Sequence, residues 1–219
     1  KVKIADLDGN GFIDPGNFAV DDHGDLRIIG NQSPRYRYGV NLSARWNGIG
    51  LSVFLQGVGA RDWYPGSDAG MFWGKYGRPF FALIPSIHNY TDDMYSAERN
   101  NWDTAYWPRM TTYQSNGTKN WTRLLEIPNT RYIQSAAYLR VKNIQLDYSF
   151  PKHICSAIRL QGLKIYVNAE NLFTFTPLHK YAPNFDPEGL SYDSDFASAA
   201  DGYTYPILKS VTVGVNITF

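Results

Sequence analysis

The sequence predicts an all-β chain that contributes about five strands to a transmembrane antiparallel β-barrel with long outside loops. Three observations carry that expectation. Five segments alternate apolar and polar residues with a period of two. Their connections are long and short in turn, as in barrels with short periplasmic turns and long outer loops. One face of these segments is nearly free of charge, whereas the other gathers the ions.

Residues 1–35 are dense in Gly, Asp, Asn and Pro and read as loop. The chain opens Lys1-Val2-Lys3-Ile4, with no initiator methionine or signal peptide, and is expected to begin in the middle of a longer protein. The first strand is expected at 36–47, with Tyr36, Tyr38, Val40, Leu42, Ala44 and Trp46 on one face. Asn47-Gly48 signals a tight hairpin into a strand at 49–58, where Ile49, Leu51, Val53 and Leu55 share a side. Residues 59–135 lose the alternation and read as a large ordered loop, with short helices expected around Asp93–Asn101.

Alternation returns at 136–150 and slips by one residue near Lys142-Asn143, as an inserted β-bulge residue would cause. A short connection at 151–161 leads to a strand at 162–173. A long loop at 174–205 precedes a last strand at 206–219. Strands of ten or more residues exceed the ~5–6 usual in soluble sheets.

The charged face holds Arg37, Arg45, Arg140, Lys142, Asp147, Lys164 and Glu170, which are expected to face the lumen. A charge facing lipid at mid-bilayer costs roughly 2–4 kcal/mol, which accounts for so clean a segregation. Tyr36 and Tyr38 sit at one end of the apolar face, and Trp46, Tyr148, Phe150 and Phe219 at the other, where interfacial aromatic belts belong. The alternative is a soluble or surface-attached, calcium-containing, carbohydrate-binding β-sandwich that buries the same face.

Composition narrows the function. The net charge is +1, from 21 Lys and Arg against 20 Asp and Glu, which argues against nucleic-acid binding. No apolar run approaches the ~20 residues of a membrane helix. The lone Cys155 excludes an internal disulfide, and the four histidines form no ligand-spaced pair. Neither a nucleophile elbow nor a phosphate-cradling glycine loop is present. Adjacent acids such as Asp92-Asp93 read as solvated loop charges, so no catalytic residues are assigned and no enzyme is expected.

Residues 6–17 resemble an EF-hand loop: Asp6, Asp8, Asn10 and Asp14 fall at positions 1, 3, 5 and 9, and the Phe12 carbonyl at position 7. Hard oxygen ligands at this spacing suit a structural Ca²⁺. Asn17 stands at position 12 in place of the usual Glu, leaving Asp21, Asp22 or Asp25 to complete the set. In the long loop, Trp63, Tyr64, Trp73, Trp102 and Trp107 are candidate surfaces for stacking on sugars or gripping peptides. For any one of them, packing of the loop itself is the commoner role.

Four stretches carry a resemblance. They are Asp6–Asp14 with Ile28-Ile29-Gly30-Asn31-Gln32-Ser33-Pro34 and Tyr36-Arg37-Tyr38-Gly39; Ala137–Ile144 ending in Phe150-Pro151; Asn171–Thr176 with Asp186-Pro187-Glu188; and Tyr205-Pro206 with the terminal Phe219. Together they resemble the C-terminal part of a SusC/RagA-type TonB-dependent outer-membrane transporter of the Bacteroidetes. The resemblance implies a large barrel in the bacterial outer membrane with an N-terminal plug, a TonB-contacting segment, a SusD-like surface lipoprotein, and import of oligosaccharides or peptides. This chain would supply the last five strands, with the plug and TonB contact in the missing N-terminal part. Five strands cannot close a cylinder, and an open edge in hydrocarbon leaves backbone groups unsatisfied, so the remainder of a barrel is an expected partner alongside outer-membrane lipid.

Overall fold

The computed structural model describes residues 5–64, 96–106, 128–183, 185–190 and 207–219. The elements run β1 (Arg35–Trp46), β2 (Ile49–Ala60), β3 (Asp62–Trp63), β4 (Gln134–Ser135), β5 (Tyr138–Ser149), α1 (Lys152–Ala157), β6 (Gly162–Phe175) and β7 (Ser210–Thr218). A five-stranded sheet has the order β1-β2-β5-β6-β7 with every neighbour antiparallel, and β3 pairs with β4 in a separate ribbon. The five long strands overlap the expected segments, with ends differing by up to four residues. β6, for instance, runs on to Phe175 because Phe175 pairs with Leu139.

The β1–β2 turn contains only Asn47 and Gly48, with φ of 47° and 86°. Positive φ at both central residues is the turn whose twist matches two antiparallel strands, which is why Asn-Gly suits it. The bulge is centred on Lys142: Phe54 pairs with Asn143 and Leu55 with Val141, so Lys142 has no counterpart on β2. β6 widens the defect. Val141 pairs with Phe173 and Asn143 with Glu170, which sets Asn171 and Leu172 against Lys142, and Asn171 takes φ of 52°.

The register places every apolar set on one face. One row crosses the sheet as Leu42, Val53, Ile144, Ala169 and Val211, and the next as Ala44, Leu51, Leu146, Val167 and Val213. Among the described residues of the unit Pro34–Arg61, Ala136–Pro177 and Pro206–Phe219, nothing covers that face. Leu146 lies on a central strand and is still 54% exposed, and Val213 is 72% exposed. The face is bounded by Tyr36, Tyr38, Phe173 and Phe175 at one end and by Trp46, Tyr148 and Phe219 at the other. Tyr36 to Trp46 is ten steps of ~3.3 Å, or ~33 Å along the strand. A tilt of ~40° brings this to ~25 Å, the height of the apolar band of an outer-membrane barrel.

Glycines on the sheet make room for rings. A Cβ on Gly57 would strike the Tyr38 ring, whose hydroxyl donates to the Tyr138 carbonyl at 3.1 Å, so this face-bound phenol keeps a partner. On the opposite face, a Cβ on Gly214 would collide with the Tyr166 ring. Gly214→Ala should therefore displace Tyr166 and destabilise the sheet by about 1–3 kcal/mol. Gly162→Ala, which meets only Thr218 at 3.5 Å, should be close to neutral. Denaturant unfolding of the intact protein measures both.

Candidate functional site

Three arrangements could carry function: the charged sheet face, the aromatic core of the loop unit, and the acidic loop.

On the sheet face opposite the apolar one, Asp147 is nearly buried. Its Oδ1 meets Arg45 Nη2 at 3.1 Å and Lys164 Nζ at 3.2 Å, and Arg45 Nη1 reaches Ser149 Oγ at 3.3 Å. Gly50 faces Asp147 across the β2–β5 pair, and any side chain there would occupy the carboxylate's place. Nearer the other strand end, Arg140 is buried, donates from Nε to Thr174 Oγ1 at 2.9 Å, and lies over the Tyr138 ring at 5.9 Å. Glu170 accepts from Ser210 at 3.1 Å, Arg37 is exposed on the same face, and Lys142 occupies the bulge. The lumen-facing set named from the sequence therefore shares one side of the sheet, with Lys142 at its irregular point.

The second unit comprises Lys1–Ser33, Asp62–Ser135 and Leu178–Tyr205. Trp63 is 4% exposed and packs on Phe185 at 5.2 Å; Tyr64 is 3% exposed and accepts from Asn129 Nδ2 at 2.9 Å. Tyr106 and Tyr181 stack at 3.7 Å, with Tyr132 edge-on to Tyr106 at 5.7 Å and Lys180 over Tyr181 at 4.9 Å. Arg131 ties this cluster to the backbone, donating to Ala105 O at 2.8 Å. Of the proposed stacking residues, Trp63 and Tyr64 are thus inside the loop core, Trp102 is 72% exposed, and Trp73 and Trp107 lie outside the described residues. The part of Asp93–Asn101 that is described, from Ser96, forms turns. Sequence reading missed Gln134, whose amide is buried on β4 with no hydrogen-bond partner among the described residues.

In the acidic loop, Asp6 accepts from Gly9 N at 2.6 Å and Gly11 N at 2.9 Å, and these N–H groups, Gly11 first, hold its carboxyl below the usual range. Asp8 accepts from Asn10 N at 3.0 Å, Asn10 Nδ2 reaches Asp14 Oδ2 at 3.2 Å, and Phe12 N donates to Asn10 Oδ1 at 2.7 Å. Asn17 points elsewhere, bonding Asp22. Asp25 closes the loop instead, accepting from Leu7 N and from Asp14 N at 2.9 Å. Oxygens of Asp6, Asp8 and Asp25 lie within 4.8 Å of one another. Closure requires Gly16 and Gly24 to touch: a Cβ on Gly24 would sit 2.5 Å from Asp14 O.

No family model matches the chain. The chain is 27% identical over 222 residues to TonB-dependent receptor P3 of Formosa agariphila, covering 99% of this chain and 19% of that protein. Receptor P39 of the same organism is 24% identical over 205 residues, 93% of this chain and 18% of the relative. The chain thus spans about a fifth of the length of the curated relatives it matches. Its fold superposes on the RagAB peptide importer in the open-open state with a TM-score of 0.56 at 20% identity, over 92% of this chain and 19% of that one. A further RagAB peptide transporter structure gives 0.55 at 21% identity, over 89% of this chain and 18% of its counterpart. The resemblance drawn from the sequence is borne out, and the five-stranded antiparallel sheet matches part of the fold of those larger chains. The relatives are named as receptors and not as enzymes.

The tyrosine cluster yields a prediction. Burial, then the neighbouring Tyr181 and Tyr132 phenols, push Tyr106 up to about 12, and burial also raises Tyr64 and Tyr132. A raised phenol stabilises the fold below its ordinary pKa of about 10, and that contribution is lost as pH rises through about 12. An absorbance titration at tyrosinate wavelengths should show a late component that loses one tyrosine's amplitude near 12 in Tyr106→Phe.

Proposed function

We propose that this chain is the closing wall and outer-loop part of a TonB-dependent outer-membrane importer of oligosaccharides or peptides. The observation that carries this reading is the uncovered apolar face, bounded by aromatics at both ends and backed by a charged face. In water, soluble proteins rarely expose contiguous apolar patches beyond a few hundred Å². In a bilayer the same face needs no further cover. The remainder of the barrel would join the free edges of β1 and β7, a plug would fill the lumen beside the charged face, and TonB would engage the N-terminal part. A SusD-like surface lipoprotein would close over the loops. The RagAB structures, described as peptide importers, support transport as the activity of such a barrel. The stacked tyrosines and exposed Trp102 suit glycan and peptide alike.

A charge on the apolar face tests the reading. Val53→Arg, on the middle row, should cost roughly 2–4 kcal/mol in the full-length protein in bilayers, whereas Ser52→Arg on the other face should cost less than about 1 kcal/mol. Extraction into buffer without detergent would favour the calcium-containing carbohydrate-binding sandwich instead.

The acidic loop is read as a structural Ca²⁺ site. Carboxylates of Asp6, Asp8 and Asp25 would hold the ion, with Asn10, the Phe12 carbonyl and Asp14 beside them. The donor set is all hard oxygen, as Ca²⁺ prefers, and three carboxylates this close repel one another without a cation. The ion would rigidify the loop and perform no chemistry. Asp6→Ala with Asp8→Ala, and separately Asp25→Ala, should abolish Ca²⁺ retention and open residues 5–33 to protease. Full metal content and unchanged cleavage would refute the site.

A further inference from the structure

The β5–β6 connection combines two features that water satisfies poorly together. Its helix α1 follows Pro151 and turns Cys155 inward, 1% exposed, with Sγ 3.7 Å from the Phe150 carbonyl. Ile154 and Ile158, one helical turn apart, are left 40% and 53% exposed. Around them stand Lys152, His153 and Arg159, all exposed. No acidic residue occurs between Asp147 and Glu170 in the sequence, and Asp147 is already held by Arg45 and Lys164. Among the described residues the connection therefore presents uncompensated positive charge beside bare aliphatic surface.

Its position in the sheet selects the partner. The connection leaves β5 through Tyr148 and Phe150, whose rings meet edge-to-face at 5.0 Å, and Tyr148 belongs to the apolar face. Trp46, 78% exposed, and Phe219, 82% exposed, stand at the same end. β5 and β6 are interior strands flanked by β2 and β7, so strands added at the sheet's free edges do not lie next to this turn. As the short connection, it falls on the periplasmic side of a barrel. We propose that Pro151–Gln161 rests on anionic phospholipid headgroups of the periplasmic leaflet, with Lys152 and Arg159 at the phosphates and Ile154 and Ile158 at the acyl boundary. Lys and Arg stems snorkel to headgroups while neighbouring aliphatics enter the interface, which satisfies both features at once.

This inference rests on the membrane reading above, and the test separates the two. The full-length transporter containing this chain is purified in detergent, and its retention of added phosphatidylglycerol and phosphatidylethanolamine is measured by native mass spectrometry. Wild type should retain phosphatidylglycerol preferentially, and less of it as ionic strength rises. Lys152→Gln with Arg159→Gln should weaken that retention roughly fivefold per basic residue removed, with thermal stability in lipid-free detergent unchanged. Ile154→Ser with Ile158→Ser should weaken retention of both lipids. Equal phosphatidylglycerol retention in the charge variant overturns the proposal, as does equal retention of both lipids by wild type. A soluble periplasmic protein covering the turn would give the same insensitivity and overturn it too. Solubility without detergent would instead remove the membrane reading on which it stands.

Discussion

The structure depends on an uncovered greasy sheet. From β1 to β7 each strand pairs with its neighbours along most of its length, the bulge at Lys142 and the two outer edges excepted, and the side chains on one face are aliphatic or aromatic apart from glycine. Hydrocarbon tolerates such a surface only if the backbone is fully hydrogen-bonded, because each unsatisfied N–H or C=O costs several kcal/mol there. Long strands and strict alternation are what that condition asks of a sheet, and an open edge does not meet it. The Tyr38 hydroxyl on the Tyr138 carbonyl answers the same condition: a phenol on this face needs a partner, and Gly57 makes the space for it to find one.

The opposite face obeys different physics. There Asp147 is almost inaccessible yet flanked by two cations that remain partly exposed. An exposed ion pair is worth little, but stripping a buried carboxylate of its counter-ions is costly. The cluster therefore serves mainly to make Asp147 tolerable at the turn end of the wall, and Gly50 is the accommodation the backbone makes for it. Nearer the loops, Arg140 spends its guanidinium on Thr174 and the Tyr138 ring, orienting positive charge along the wall. This face thus presents charge that is mostly held by neighbouring side chains.

How much of this could be read from the chain varies with the range of the interaction. Strand identity, facing and the Lys142 bulge were legible because period-two alternation is local, and a single inserted residue inverts its phase. The widening of the defect at Asn171 and Leu172 was not, since an insertion of two residues leaves the phase intact. The helix in the β5–β6 connection escaped notice because six residues carry too little periodicity. Trp63 and Tyr64 were legible as loop aromatics, but their burial against Phe185 and Asn129 depends on contacts 65 or more residues away in sequence. Gln134 gave no sequence signal at all.

The acidic loop shows the same limit more sharply. Asp6, Asp8, Asn10, Phe12 and Asp14 follow the spacing of an EF-hand loop, so they could be named as candidate donors from order alone. The closing donor could not, because the sequence offered Asp21, Asp22 and Asp25 equally. In the structure Asp25 is the one that closes the loop by hydrogen bonds, for a steric reason: Gly16 and Gly24 permit a backbone contact that a side chain would forbid, and this brings Asp25 under Leu7 and Asp14 while Asp22 bonds Asn17. Asp25 thereby reaches from position 25 to both ends of a motif that begins at Asp6. A loop closed by so distant a carboxylate ties its order to the whole of residues 6–25, whereas a position-12 glutamate would secure only the twelve-residue loop itself. That larger enclosed segment is what a cation at Asp6, Asp8 and Asp25 would stiffen.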